Sequence, residues 1–306
     1  MDLTAAILEA ALRAATPLAL AALGELLIER SGTINIGLEG SILGGALVSA
    51  LVAQSLGPHA GLLGGAVAGS LVGAVFALFA VTLRADQVIT GTAVTLLVLG
   101  LTGALARTIF GEQGVALTLP TLSNTRVLGL ERVPILGPAF FGQPYVLFVT
   151  VSIAIGLHYW MTRTHAGLAL RAVGESTAAA QSAGIHADRV RWCAIIAGTA
   201  MAGASGAILV LAQSGTFVEG MSAGRGFIAI AVVALGRWRP IAVLIASVLF
   251  GGASALQFAA QTFGWALPYQ LFLAAPYLVT LAVLAASARG GAPPASLGKR
   301  FAAEAA

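Results

Sequence analysis

Residues 163–191 read RTHAGLALRAVGESTAAAQSAGIHADRVR, a polar and basic island between two long apolar runs. It is the longest interruption in the chain that carries its own helix signals. Ser176 stands where it would cap residues 178–180, and Gly184 where it would end that run. Gly174 is expected to close a turn, and Asp188 to cap the apolar helix that follows. One or two short helices are therefore expected, and a structured basic island between spans is suited to touch something outside the lipid.

Outward from the island the chain is apolar. With 306 residues, 58% of them hydrophobic and 9% charged, and a mean hydropathy of +0.94, it has too little polar surface to cover a soluble globule. It reads as an all-α polytopic membrane protein of about eight or nine transmembrane helices, some broken or half-length. The pI of about 9.8 does not point to nucleic acid, because the basic residues sit at the ends of apolar runs. That is the positive-inside pattern. Cys193 is the only cysteine, which excludes an internal disulfide and a cysteine metal site, and it reads as a small packing residue. The N-terminus lacks a positive leader region and carries Glu9 and Arg13, so a cleaved signal peptide is not expected. Those two side chains are one helical turn apart and are expected to pair.

Taken in order, a first apolar segment at 5–28 ends in SGTINIGLEG, residues 31–40, a turn-rich break. Its glycines permit tight backbone geometry and Ser31, Thr33 and Asn35 supply polar partners. Either a discontinuous helix or an ordinary hairpin fits. Spans follow at 38–55 and 60–83, the second with Gly61, Gly65, Gly69 and Gly73 one turn apart. Such a ladder lets another helix backbone approach closely. A polar hinge, Arg84 to Gln87, leads to a span at 88–110. Residues 111–142, with three prolines, are too polar to span and are expected to form an external cap. Spans at 143–162 and 191–213 flank the island. The apolar run 227–236 is too short to cross alone, so it is a half-helix or a span lengthened by the glycine-rich link 214–226. Runs at 241–261 and 268–288 complete one transmembrane domain over 1–288, and 289–306 reads as a disordered cytoplasmic tail. With the island in the cytoplasm, alternation gathers Arg30, Arg84, Arg237, Arg239 and the tail on its side.

The chemistry that is missing narrows the function. There is no phosphate-binding GxxxxGK[ST] loop, and the single lysine, Lys299, lies in the tail, so any ATP-driven step belongs to another subunit. The four histidines are dispersed and suggest no metal site. Glu25, Glu39, Asp86 and Glu219 lie near breaks instead of mid-span, which weakens an ion-coupled secondary transporter of a small polar solute without excluding it. A glycine- and alanine-rich bundle with broken helices is suited to alternate between packings, and the island to receive force from a soluble motor.

At this point the residues resemble a known family. Gly167, Arg171, Ala172, Gly174, Glu175, Ala179, Ala180, Gly184 and Ile185 are similar to the coupling segment of permease subunits of ATP-binding cassette importers, in the ribose and branched-chain amino acid permease superfamily. GTINIGLEG at 32–40 and GRGFIAIAVVALGRWRP at 224–240 resemble its nucleoside and simple-sugar branch. The resemblance implies a multi-pass protein of the bacterial cytoplasmic (inner) membrane with no catalytic residue and no cofactor of its own. ATP and magnesium would be used by a partner ATPase. A second, paralogous permease subunit and an extracytoplasmic binding protein or lipoprotein would complete the assembly. Arg171, Gly174, Glu175, Ala179, Ala180 and Gly184 would meet the ATPase. Candidate groups along the solute path are Asn35, Glu39, Gln87, Thr90, Gln213 and Phe217, since amides hydrogen-bond hydroxyls or base edges and aromatics stack on either.

Overall fold

The computed structural model of the chain describes residues 3–111, 119–124, 140–262 and 293–299. Most of the expected external cap and the run at 268–288 lie outside these residues. The regular elements among the described residues are all helices: α1 (Leu3–Arg30), α2 (Leu38–Leu56), α3 (Pro58–Ala77), α4 (Gln87–Phe110), α5 (Val146–Arg163), α6 (His165–Glu175), α7 (Thr177–Ser182), α8 (Ala187–Ile208), α9 (Arg225–Leu235) and α10 (Pro240–Thr262). α3 and α8 each run on through a π-helical turn, Leu78–Thr82 and Leu209–Ser214. Six of the described helices, α1 to α5 and α8, are long and apolar enough to cross a membrane. The apolar helices α9 and α10 stand beside them.

α8 is the centre of the bundle and packs on α1, α2 and α3. Close approach is possible because the facing residues are small. The ladder predicted on α3 meets α8: a β-carbon on Gly69 would fall on Thr199 O, and one on Gly203 would fall on Gly65 O. Gly45 of α2 meets the same Gly203, and Gly24 of α1 meets Gly198. Without these glycines the helix axes could not come together, so the seam depends on missing side chains. Apolar side chains such as Leu23, Ile42, Phe76 and Ile195 fill the space around it.

Pro17 interrupts α1 in a way that explains a distant residue. Proline has no N–H, so the carbonyl one turn earlier, Arg13 O, lacks its helical donor. Gln213 Nε2 donates to that oxygen, and Ser205 Oγ donates to Pro17 O at 2.7 Å. The freed Arg13 carbonyl thereby gains a replacement donor, whereas Pro17 O keeps its helical donor and Ser205 adds a second bond that links α1 to α8.

The bundle has two distinct ends. At one end the break, the hinge, the island and the Arg237–Arg239 loop come together: Arg30 donates to Trp238 O at 2.6 and 2.9 Å, and Trp192 Nε1 to Thr82 Oγ1 at 3.0 Å. At the other, Glu9 pairs with Arg13 at 2.9 Å, His59 with Tyr145 at 2.9 Å, and Arg107 with Glu219 at 2.9 Å. Leu122 N also donates to Leu211 O there, which places the described piece 119–124 beside the end of α8. The chain therefore passes between the ends within 219–238. α9 is a half-helix of 11 residues that covers only the island half, and the glycine-rich link covers the rest. Both sequence alternatives for this segment are thus partly right.

Other expectations need correction. Gly174 does not close a turn but lies in the last turn of α6, because its missing β-carbon lets the helix press on Arg30 O. Asp188 is in the first turn of α8 and not at its cap, which is His186, and it pairs with Arg191 at 3.5 Å. Cys193 is exposed instead of packed. Within the tail, residues 293–299 lie against α6, with Pro294 buried. Glu25 and Glu39, although next to a sequence break, are inside the bundle, 0% and 6% exposed. The backbone break folds inward and carries them with it.

Candidate functional site

The break joins two full spans, α1 and α2, as the hairpin alternative has it, but its turn is buried inside the bundle instead of lying at the surface. Gly37 packs on Gly91 of α4, where a β-carbon on Gly91 would meet Gly37 N, and Gly40 packs on Thr95. The start of α2 thus faces the second and third turns of α4 instead of lying flush with the end of the bundle. Polar groups line this interior corner. Asn35 N donates to Glu25 Oε1 at 3.0 Å, and Ile34 N to Gln87 Oε1 at 2.9 Å. Asn35 Nδ2 and Oδ1, Glu25 Oε2 and Ser41 Oγ are buried and find no hydrogen-bond partner among the described residues. Buried polar atoms are nearly always paired, so a cluster with spare capacity marks a place where a polar solute could be met.

Glu39 sits a few residues further on and is held quite differently. Its Oε1 accepts from Ser222 Oγ at 2.5 Å and Gly224 N at 2.8 Å, and its Oε2 accepts from Gly226 N at 2.6 Å. The carboxylate therefore closes the N-terminus of α9, where unsatisfied N–H groups and the helix dipole favour an anion. A β-carbon on Gly226 would meet Glu39 N, so the α2 and α9 starts are in backbone contact. At the far end of α9 the Trp238 indole N–H donates to Glu29 Oε2. α9 is thus fastened to α1 and α2 at both ends.

The island is a small folded unit. Thr164 Oγ1 accepts from Gly167 N at 3.1 Å and caps α6, and Ser176 Oγ accepts from Ala179 N at 3.3 Å and caps α7. α7 stops at Gly184 in a left-handed conformation, φ +81°, with Ile185 N returning to Ala180 O at 3.0 Å. Val173, Ala180 and Ala187 form its own apolar core. Arg191 fastens it to α8 by donating to Thr177 Oγ1 at 2.7 Å.

The sequence signature of the family described as "branched-chain amino acid transport system / permease component" matches residues 7–286, a stretch that takes in the break, the α9 joint and the island. The chain belongs to this permease family. It is 35% identical to a putative glucose ABC transporter permease protein of Haloferax volcanii, over 93% of this chain and 92% of that protein. A guanosine ABC transporter permease of Bacillus subtilis is 33% identical over 95% and 94%, and a nucleoside ABC transporter permease of Lactococcus lactis 33% identical over 88% and 88%. No solved structure matches the permease.

In this permease the expected path residues fall into two groups. Asn35, Glu39, Gln87 and Thr90 converge on the buried corner, all under 9% exposed. Gln213 and Phe217 lie at the opposite end, one on Arg13 O and the other beside Phe110 with ring centroids 6.4 Å apart. Gln213 bonds Arg13 and Asn35 bonds Glu25, 12 residues apart on α1, so the groups are separated by about 18 Å along that helix. Of the expected ATPase-contact residues, Glu175, Ala179 and Gly184 are exposed, Arg171 is half-buried, and Gly174 and Ala180 are buried. Sequence reasoning missed Ser222, which reaches Glu39 across 183 positions, and underweighted Glu25, a carboxylate inside an apolar helix. Only the second left a trace in the sequence.

A cavity of about 600 Å³ between α1, α5, α6 and α8 is lined by apolar groups such as Leu27, Trp160, Leu170 and Met201, with Arg189 and Cys193 also on its wall. It holds none of the expected path residues.

Proposed function

We propose that this chain is the permease subunit of an ATP-binding cassette importer that translocates nucleosides or simple sugars delivered by an extracytoplasmic binding protein. What carries the reading is the family match over residues 7–286 together with near full-length relatives named as nucleoside and glucose permeases. The geometry supports it. The buried turn between α1 and α2 and the half-helix α9 meet in the interior, and a capped, folded island stands at one end of the bundle. In this reading the island faces the bacterial cytoplasm and its exposed face, Glu175 to Gly184, docks on an ATPase that supplies ATP and magnesium chemistry. A paralogous permease completes the path, and the inner membrane is the site of action.

Asn35, with both amide atoms unpartnered among the described residues, and Glu25 beside it are the proposed solute contacts. Glu39 and Gln213 are assigned to structure by their hydrogen bonds.

Reconstitution with the cognate ATPase, sister permease and binding protein tests this. ATP-dependent uptake of guanosine or glucose is the expected result. The buried carboxylate of Glu25 also fits the rival, an ion-coupled carrier. Uptake by this polypeptide alone, driven by an imposed ion gradient and indifferent to ATP, would replace the importer reading with that one.

A further inference from the structure

We propose that residues 293–299 are a tie that makes the island, the break and the first turn of α4 move as one body. The segment caps α6 in trans. Ser296 N donates to Gly174 O at 2.9 Å, and Ser296 Oγ donates to Gly174 O at 2.5 Å and Val173 O at 3.3 Å. These are carbonyls of the last turn, which have no donor from within a helix. Ala295 N adds a bond to Glu175 Oε2 at 3.4 Å.

From α6 the segment continues to the break and the hinge. A β-carbon on Gly32 would collide with Ser296 Oγ, so the break passes directly beneath the tail. Leu297 packs on the main apolar core. Lys299 O then accepts from Gln87 Nε2 at 2.9 Å, and the other end of that amide, Oε1, accepts from Ile34 N. One side chain thus connects the tail, α4 and the break.

The physical consequence concerns the direction of force. Gly174 already abuts Arg30 by backbone contact, Glu175 attracts Arg30, and Leu170 of α6 is packed in the main core. Hydrogen bonds from one segment to both sides add directional resistance to separation. The tie therefore strengthens the path by which a pull on the island reaches Ile34 and Asn35. That the island is pulled at all rests on the importer reading; the mechanical connection does not.

Two measurements test the tie. In the purified chain in lipid nanodiscs, deletion of 293–306 should speed amide hydrogen exchange across 30–37 and 84–90 by about tenfold. Unchanged exchange in both stretches overturns the proposal. If the deleted chain does not insert, the double variant Ser296→Ala, Leu297→Ala takes its place, with the same two outcomes. In the assembled transporter, the same variants should lower solute moved per ATP hydrolysed by about fivefold while hydrolysis continues, as expected when motor and gate are separated. An unchanged ratio overturns the coupling part. If the unaltered assembly shows no ATP-driven uptake, the importer reading fails, and the exchange measurement still decides whether the tie exists.

Discussion

Glu25 and Glu39 are buried carboxylates on either side of one break, and the protein treats them oppositely. Glu39 receives three donors from Ser222, Gly224 and Gly226 and joins α2 to α9. Glu25 receives one, from Asn35 N, and keeps an oxygen without a partner among the described residues. The difference separates holding from handling. A fully satisfied group has nothing left to offer a passing solute, whereas a group with free capacity does, and leaving it so costs stability.

Substitutions can break this contrast. The largest effect is expected from Glu39→Ala, which strands a buried and a half-buried N–H group and a buried hydroxyl and should cost about 3 kcal/mol or more, read as a lowered Tm in detergent. A variant as stable as the parent would refute the joint. Glu39→Gln keeps one acceptor but turns the other into a donor facing N–H groups, for a loss of about 1.5 kcal/mol in the same melt. Asn35→Ala should behave in the opposite sense. It removes two unpartnered polar atoms, so Tm should hold or rise, while solute uptake falls about tenfold, worth ~1.4 kcal/mol in solute binding. A fall in Tm with uptake intact would make Asn35 structural like Glu39. The smallest change is expected for Gln213→Ala, which leaves Arg13 O without its replacement donor and should cost about 1 kcal/mol, with uptake per folded molecule unaltered.

The same contrast shows how far residues alone could be read. The spans were legible because a membrane demands long apolar helices, and observed limits such as Leu38–Leu56 for 38–55 and Gln87–Phe110 for 88–110 lie close to those expected. Ser176 and Gly184 were legible as local start and stop signals. Asp188 was not, since the cap position depends on where the preceding turn leaves the backbone. The glycine ladder announced close packing on one face of α3, though not that α8 would be its partner. Glu39 and Gln213 were both taken as path groups from their polarity. Polarity cannot distinguish a solute contact from a side chain that satisfies backbone groups far along the chain.

Sequence by itself determined that this is an apolar helical bundle with a turn-rich break at 31–40, an apolar run at 227–236 too short to cross alone and a capped island at 163–191. Those properties follow from hydropathy and from glycine, proline and capping residues acting within a few positions of themselves. The tertiary structure alone decided which polar residues are satisfied. It put Glu39 on α9, Gln213 on the carbonyl freed by Pro17, and Ser296 on the end of α6, in each case across more than 100 residues. For Glu39, whose bond to Ser222 is buried, pairing is strongly favoured over an unpaired group, whereas the Gln213 and Ser296 bonds lie at exposed and half-buried positions. Which partner is within reach is set by the packing of whole helices, and no local pattern records it.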